Sequence, residues 1–311
     1  MLIRCLLATL IALTLAACQT TGRPASNRAA PLVSSLQGDY DNHEQVWSAR
    51  ENPSLIAPPH VLVTIEDTAR DDWTVWRVRL DASTPLEASW ALRQTTAADG
   101  GVVWLPHRPI VAQPARGKDF DVAQWTPLDA CALRGQRRTQ GLQYAADANA
   151  CAVLAPGIGS DAALLPLAVE LDGEWLHLRL YVDQARGAEA REELRRVQRF
   201  AGWAALNGAG PTAAADSADW HMDRKVALGN EGGRYALAYR DGRASGYSLV
   251  LERLTYRDGN VPVLKLSVVE DASDRTLAYA WANPQATRIG LNLGWVQVGL
   301  ESSPAIDPGS P

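Results

Sequence analysis

Apolar positions change their period along this chain, and each period implies a different element. Leu36, Tyr40, His43, Val46 and Trp47 recur at spacings of three, four and seven with no intervening proline, which predicts a helix that Asp39 or Asp41 caps. After Pro53 the period drops to two. Residues 60–67, 73–80 and 86–93 alternate large or β-branched apolar residues with polar ones, the mark of antiparallel strands with one wet face. Residues 102–105, 131–137, 141–145, 165–171 and 175–182 continue the series, with Asp172-Gly173 as a hairpin turn. So many strands are expected to close, since closure removes exposed edges. Residues 186–199 are rich in helix formers and charge and read as a helical connector. Six further strands follow at 220–228, 233–240, 243–256, 261–270, 276–282 and 288–300, with turns at Asp241-Gly242 and Asp258-Gly259. The expected fold is all-β with one N-terminal helix. A calycin- or lipocalin-like antiparallel β-barrel occupies 32–185, a second antiparallel β domain 186–301 and a loose tail 302–311; the second half reads equally as a small barrel or as an added sheet.

The N-terminus carries an address. Arg4, an apolar run over 5–15 and small residues before Cys18 make 1–17 a signal peptide. The run is about half of the ~20 residues a membrane-spanning helix needs. Leu15-Ala16-Ala17-Cys18 resembles the bacterial lipobox, which implies cleavage before Cys18, lipidation of its thiol and stable anchoring by several acyl chains. Gln19 stands where an inner-membrane retention signal has Asp, so the expected location is the outer membrane, facing the periplasm. Residues 18–31 are small, polar and proline-containing, a flexible tether. That compartment permits disulfides. Cys5 leaves with the signal and Cys18 carries lipid, so Cys131 and Cys151 are expected to bond; as a metal or redox pair they lack a second Cys or His at close spacing.

Composition removes several function classes. Charged residues make up 21%, the net charge is −5, and Lys and Arg are dispersed, so there is no basic footprint for nucleic acid. Gly-x-Ser-x-Gly, His-Glu-x-x-His, phosphate-loop and helix-opening Gly-x-Gly-x-x-Gly motifs are all missing. His60, His107, His177 and His221 lie on different strands and loops, and no metal site or cofactor is expected from their spacing. Gly38 to Asn42 is oxygen-rich but lacks the central Gly and distal Glu of a calcium loop, and His43-Glu44 reads as a solvated pair on the first helix. Eleven Trp against two Phe is unusual, and core is their default role. Alternation sends Trp73 and Trp76 to opposite faces, so one of them is expected to line a pocket or meet water. Arg77 and Arg79 share a face. Inside a barrel they would need acidic partners or an anionic ligand; outside they would be solvated or paired with residues such as Glu87 or Glu170.

Leu36-Gln37-Gly38-Asp39-Tyr40-Asp41-Asn42-His43-Glu44-Gln45 resembles the opening block of the CpcT/CpeT-type chromophore lyases, Leu-x-Gly-x-aromatic-x-Asn/Ser-x-x-Gln. Trp76-Arg77-Val78-Arg79 is similar to that family's aromatic-Arg-x-Arg strand, and Cys131-Ala132-Leu133 with Cys151 to its two cysteine-bearing strands. The resemblance covers about 32–185 and departs at Asp81, where the family has Tyr. It implies a calycin-like barrel whose relatives attach bilins to proteins. Three functions follow as expectations. The leading one is a non-catalytic envelope lipoprotein that holds a small hydrophobic or anionic ligand in the barrel, with Arg77, Arg79, Trp76, Trp90, Tyr40 and Gln45 as the ligand-binding candidates. The alternatives are a bilin or tetrapyrrole lyase or transferase, in which Arg77 and Arg79 hold propionate-like carboxylates, and a structural protein that binds an envelope partner.

Overall fold

Ten antiparallel strands wind into a sheet whose two ends meet. They are β1 (Gly38–Asp41), β2 (His60–Asp67), β3 (Trp73–Asp81), β4 (Leu86–Thr96) and β5 (Val102–Pro109), then β7 (Leu133–Arg138), β8 (Gly141–Ala145), β9 (Pro166–Asp172), β10 (Trp175–Leu180) and β11 (Glu192–Arg196), with β6 (Trp125–Pro127) added outside β5. The order β4-β3-β2-β1-β11-β10-β9-β8-β7-β5 closes because β5 also pairs with β4. This computed structural model describes residues 36–52, 54, 57–111, 116–138, 141–187, 190–256 and 261–303. The signal peptide, Cys18, the tether and the Asp258-Gly259 turn lie outside them.

Period two puts Val61, Val63 and Ile65 of β2, Trp76, Val78 and Leu80 of β3, and Leu176, Leu178 and Leu180 of β10 inside the barrel. Four large rings fill its middle. Trp76 meets Trp104 edge to face at 6.1 Å, Trp104 stacks on Tyr144 at 4.2 Å, and Trp90 donates its indole N–H to the Leu164 carbonyl at 3.0 Å. The void between Leu36, Thr74, Leu92, Gln94 and Trp104 has no room for a water molecule. Among the described residues this interior is a packed core, and the expectation of a ligand held inside the barrel gives way to it, because Trp76, Trp90, Trp104 and Tyr144 take up the space.

Several expectations give way to closure. Residues 38–41 form strand β1 rather than the start of a helix, because β1 must pair with both β2 and β11 to complete the ring. Helix α1 is therefore shorter, His43–Glu51. Asp41 does serve its N-terminus, accepting from the His43 amide at 2.8 Å, while Asp39 accepts from the Thr64 hydroxyl. Helix-forming composition at 186–199 is overridden in the same way: Glu192–Arg196 is the strand between β1 and β10. The β9–β10 turn falls on Gly173-Glu174, since Asp172 still pairs with Trp175 and Gly173 takes φ 60°. Trp73 and Trp76 do face opposite ways, yet neither meets water. Trp73 is covered outside the barrel by Phe120 and stacks near His107, at 5.0 and 4.5 Å.

The remaining strands make a sandwich. They are β12 (Arg199–Asn207), β13 (Trp220–Gly229), β14 (Glu231–Ala238), β15 (Ala244–Tyr256), β16 (Val261–Glu270), β17 (Arg275–Ala282), β18 (Arg288–Asn292) and β19 (Val296–Ser302). Sheets β13-β12-β19-β18 and β14-β15-β16-β17 enclose one core that includes Phe200, Leu228, Leu251, Leu266 and Leu300. Residues 288–300 are a hairpin and not one strand, turning at Gly294 with φ 83°. Strand β12 was invisible in the sequence because Ala201, Gly202, Ala204 and Ala205 carry too little bulk to show a period. Asp241-Gly242 turns β14 into β15 as expected, with Gly242 at φ 81°.

Cys131 and Cys151 are disulfide-bonded with Cα atoms 4.6 Å apart, joining the turn before β7 to the short helix α2 (Ala148–Ala152). Their separation of 20 residues corresponds to a chain-entropy contribution of about 3 kcal/mol. Replacing both cysteines by serine is expected to lower the free energy of unfolding by about that amount, read as a lower urea midpoint; an unchanged midpoint refutes it.

Candidate functional site

Helix α1 and one corner of the sandwich meet outside the barrel wall, and buried charged residues, Arg195 and Glu231 among them, gather around this contact. The corner is Gly229-Asn230-Glu231-Gly232-Gly233, between β13 and β14. Gly232 has φ 76°, and a Cβ on it would lie 2.5 Å from the His43 ring, so only glycine lets α1 come this close. His43 pairs with Glu252 at 3.0 Å and Trp47 meets Tyr256 at 5.3 Å. The His43-Glu44 pair is therefore no solvated decoration.

Beneath α1, Arg195 of β11 is buried with its side chain 3% exposed. Its Nε and Nη2 donate to the two carboxylate oxygens of Glu231 at 2.7 and 2.8 Å. Nη1 bonds Glu44, Nη2 also reaches the Arg253 carbonyl, and the guanidinium lies 5.2 Å over the Trp175 ring. A second network lies beside it. Asn42, fully buried, donates to Glu192 and to the Pro59 carbonyl, both at 2.9 Å, and accepts from the Val61 amide at 2.7 Å. Arg186 joins Glu192 to Asp183. Burial pushes Glu231 up to about 8 against the pull of Arg195, and burial followed by repulsion from Asp183 pushes Glu192 up to about 7. His60 is raised, chiefly by its 2.7 Å hydrogen bond to Asp41, with Asp81 at 3.2 Å on its other nitrogen.

A cleft of about 880 Å³ opens next to this junction. Its floor is the outer barrel wall, where Arg77, Thr64 and Asp39 sit side by side in register across β3, β2 and β1. Its opposite side is Gln198, Arg199, Asn230 and Arg253. Glu174 and Arg253, paired through two 2.8 Å bonds, separate it from a smaller cleft of about 580 Å³ lined by Gln45, Trp175 and Arg195.

The sequence candidates divide accordingly. Trp76 and Trp90 are barrel core with no exposure. Tyr40 is buried, donating to the Leu36 carbonyl at 2.9 Å and accepting from Arg196 at 2.6 Å. Arg79 lies on the outer wall beside Asp81 at 3.0 Å. Arg77 lies on that wall too, pairs with Glu66 at 3.0 Å and lines the larger cleft; its partner is neither Glu87 nor Glu170. Gln45 lines the smaller one and accepts from the Glu193 amide at 3.1 Å. Asn230, Glu231 and Arg195 were missed. The corner falls in the gap between the strands expected at 220–228 and 233–240, and Arg195 reads as one charge in a helical run, although an acidic residue with Gly229, Gly232 and Gly233 around it is a usable signal. Among the described residues no group of three or more His, Cys, Asp or Glu is placed to hold a metal ion, and no helix is long and apolar enough to cross a membrane. No family model, curated protein or solved structure matches the chain.

The raised carboxyls fix a pH dependence. A Glu231 that titrates near 8 when folded and near 4.5 when unfolded binds its proton more tightly in the native state, so its own contribution to stability is complete below about 4.5 and is lost as pH rises toward 8. His60 acts in the same direction, its contribution fading as pH rises past its raised folded value. Urea midpoints are expected to decline from pH 5 to pH 8, and Glu231→Gln to flatten that decline. Arg195→Ala should cost about 3–5 kcal/mol near pH 8, because it strands buried carboxylates.

Proposed function

We propose that this protein is a non-catalytic cell-envelope lipoprotein, anchored through Cys18 in the outer membrane and facing the periplasm, that binds a small hydrophobic or anionic molecule in the cleft between barrel and sandwich. The observation that carries the reading is the 880 Å³ cleft lined from both sides, within the 300–1,000 Å³ typical of ligand sites. Arg77, Arg196, Arg199 and Arg253 face Asp39, Glu66 and Glu174 there, an excess of one positive charge. The barrel serves as a rigid support, since its interior is occupied by Trp76, Trp90, Trp104 and Tyr144. Ligand sites on loops and junctions held by such a scaffold are a common arrangement.

The lyase reading stands second. The resemblance to the CpcT/CpeT-type enzymes supports it through the barrel, but Arg77 and Arg79 lie on the outer wall with carboxylate partners, away from any calyx. A protein partner is favoured by one different observation: β17 turns alanines toward the core and exposes Tyr279 and Trp281, each more than half exposed, on an edge strand.

Two measurements test the leading reading. Cys18→Ser should move the protein from the membrane to the soluble fraction and abolish labelling by radioactive palmitate; retention of both refutes the anchor. Native mass spectrometry of protein from its own host should show a bound small molecule that Thr64→Trp, which fills the cleft floor, displaces. An equal bound mass on both proteins, or none on the unsubstituted one, refutes the cleft.

A further inference from the structure

Among the described residues each sheet of the sandwich ends in two outer strands, and three of the four are protected against pairing with another chain. Strand β13 carries Asp223-Arg224-Lys225 and a register break against β12, β14 carries Glu231 and Arg234 with two register breaks, and β18 is five residues long and opens on Arg288. Charge, irregular register and shortness are the usual ways in which a protein blunts a sheet edge. Strand β17 has little of this. Residues 276–282 include no charged residue and no proline, and the one register break against β16 leaves 278–282 as a regular run that pairs on one side alone.

That run reads Ala-Tyr-Ala-Trp-Ala. Ala278, Ala280 and Ala282 are half-buried, whereas Tyr279 and Trp281 stand 53% and 56% exposed on the outer face with their rings 5.1 Å apart. Lys265, opposite Trp281 in register, is paired with Glu252 at 3.3 Å. The pattern is symmetric about Ala280. A second copy laid antiparallel on this edge, with the two-fold axis at Ala280, brings Tyr279 of each copy opposite Trp281 of the other and Ala278 of each opposite Ala282 of the other. Directly opposed aromatic pairs are favourable cross-strand contacts. Like charges do not meet in this register, because the two Arg275 side chains lie at opposite ends of the pairing. An unlike partner would need its own sequence to supply the match; a second copy supplies it by symmetry, and two-fold dimers are the commonest oligomers.

We propose that β17 is the interface of a two-fold homodimer, in which two β14-β15-β16-β17 sheets join edge to edge into one continuous sheet with Ala280 on the axis. Main-chain groups of the edge give the contact its direction, and Tyr279 and Trp281 of both copies give it apolar area. So narrow a contact belongs at the small end of protein interfaces, and the dimer is expected to be weak and reversible in solution. The proposal names the partner for the exposed edge. It stands apart from the cleft reading, since no residue of β17 lines either cleft.

The test uses the mature chain with Cys18→Ser, so that no lipid drives association, in sedimentation equilibrium from micromolar to near-millimolar concentration. Mass is expected to rise from one chain to two, and Trp281→Glu to weaken the association at least tenfold. Trp281 is exposed and faces Lys265, so this variant keeps its fold, which an unchanged urea midpoint checks. Cysteine placement reads the register. Ala280→Cys puts a thiol on the axis, where the two Cα atoms stand about 4.5–5.5 Å apart and within disulfide range, whereas Thr276→Cys puts its two thiols at opposite ends of the pairing. Cys131 and Cys151 are already bonded to each other and do not compete. Under mild oxidation Ala280→Cys should form a covalent dimer at least tenfold faster than Thr276→Cys, and this pair decides the matter if Trp281→Glu loses its fold. A single-chain mass throughout overturns the proposal, as does association indifferent to a folded Trp281→Glu or equal crosslinking of the two cysteine variants. A monomer that sediments with phosphatidylglycerol vesicles, and no longer does so as Trp281→Glu, overturns it in favour of a lipid surface.

Discussion

One buried guanidinium holds this architecture together. Arg195 leaves the barrel on β11, bonds Glu44 on α1 and grips Glu231 at the sandwich corner with both carboxylate oxygens satisfied. Removing such charges from water costs several kcal/mol per ion, and the four hydrogen bonds of the Arg195 guanidinium offset that cost. Apolar residues in the same places would tolerate sliding. The fork of an arginine on a carboxylate does not, and it sets the angle at which sandwich meets barrel. Gly232 adds the steric half of the constraint by admitting His43 where a methyl group would not fit.

The filled barrel follows from the same economy of shape. Trp76, Trp90, Trp104 and Tyr144 occupy the space that a calyx would leave for a guest, and each buried ring contributes far more apolar area than the valines and leucines around it. A ring of strands so packed resists deformation. Its outer wall can then carry polar residues in fixed register, and Arg77, Thr64 and Asp39 are positioned by strand pairing rather than by loops. The cleft inherits that rigidity on one side and the Arg195 junction on the other.

Legibility in the sequence tracked bulk and alternation. Strands β2, β3, β8 and β16 were readable almost to the residue because large apolar side chains recur every second position. Strand β12 was not, its alternation written in Ala and Gly, and β11 was masked by Glu, Leu and Arg, which favour helix until a sheet requires them. Strand β1 was hidden by a helix-like spacing that runs through it into α1. Of the site, Arg77 stands out in the sequence through the strand face it shares with Arg79, and Gln45 only through the resemblance of its block to the lyase family. The remainder lies in contacts between residues more than 30 positions apart, such as Arg195 with Glu231, which no local pattern encodes.

A polar junction of this kind also bears on the charge of the cleft beside it. Glu231 and Glu192 are already held above the ordinary carboxylate range by burial, so further acidic side chains next to them would add repulsion to carboxyls that burial already disfavours as ions. The cleft keeps its acids paired instead: Arg77 is steadied by Glu66 and Arg253 by Glu174, while the Gln198 amide holds Asn230. Polar groups fixed in this way before any ligand arrives lose little freedom on binding, which is what a preorganised site requires.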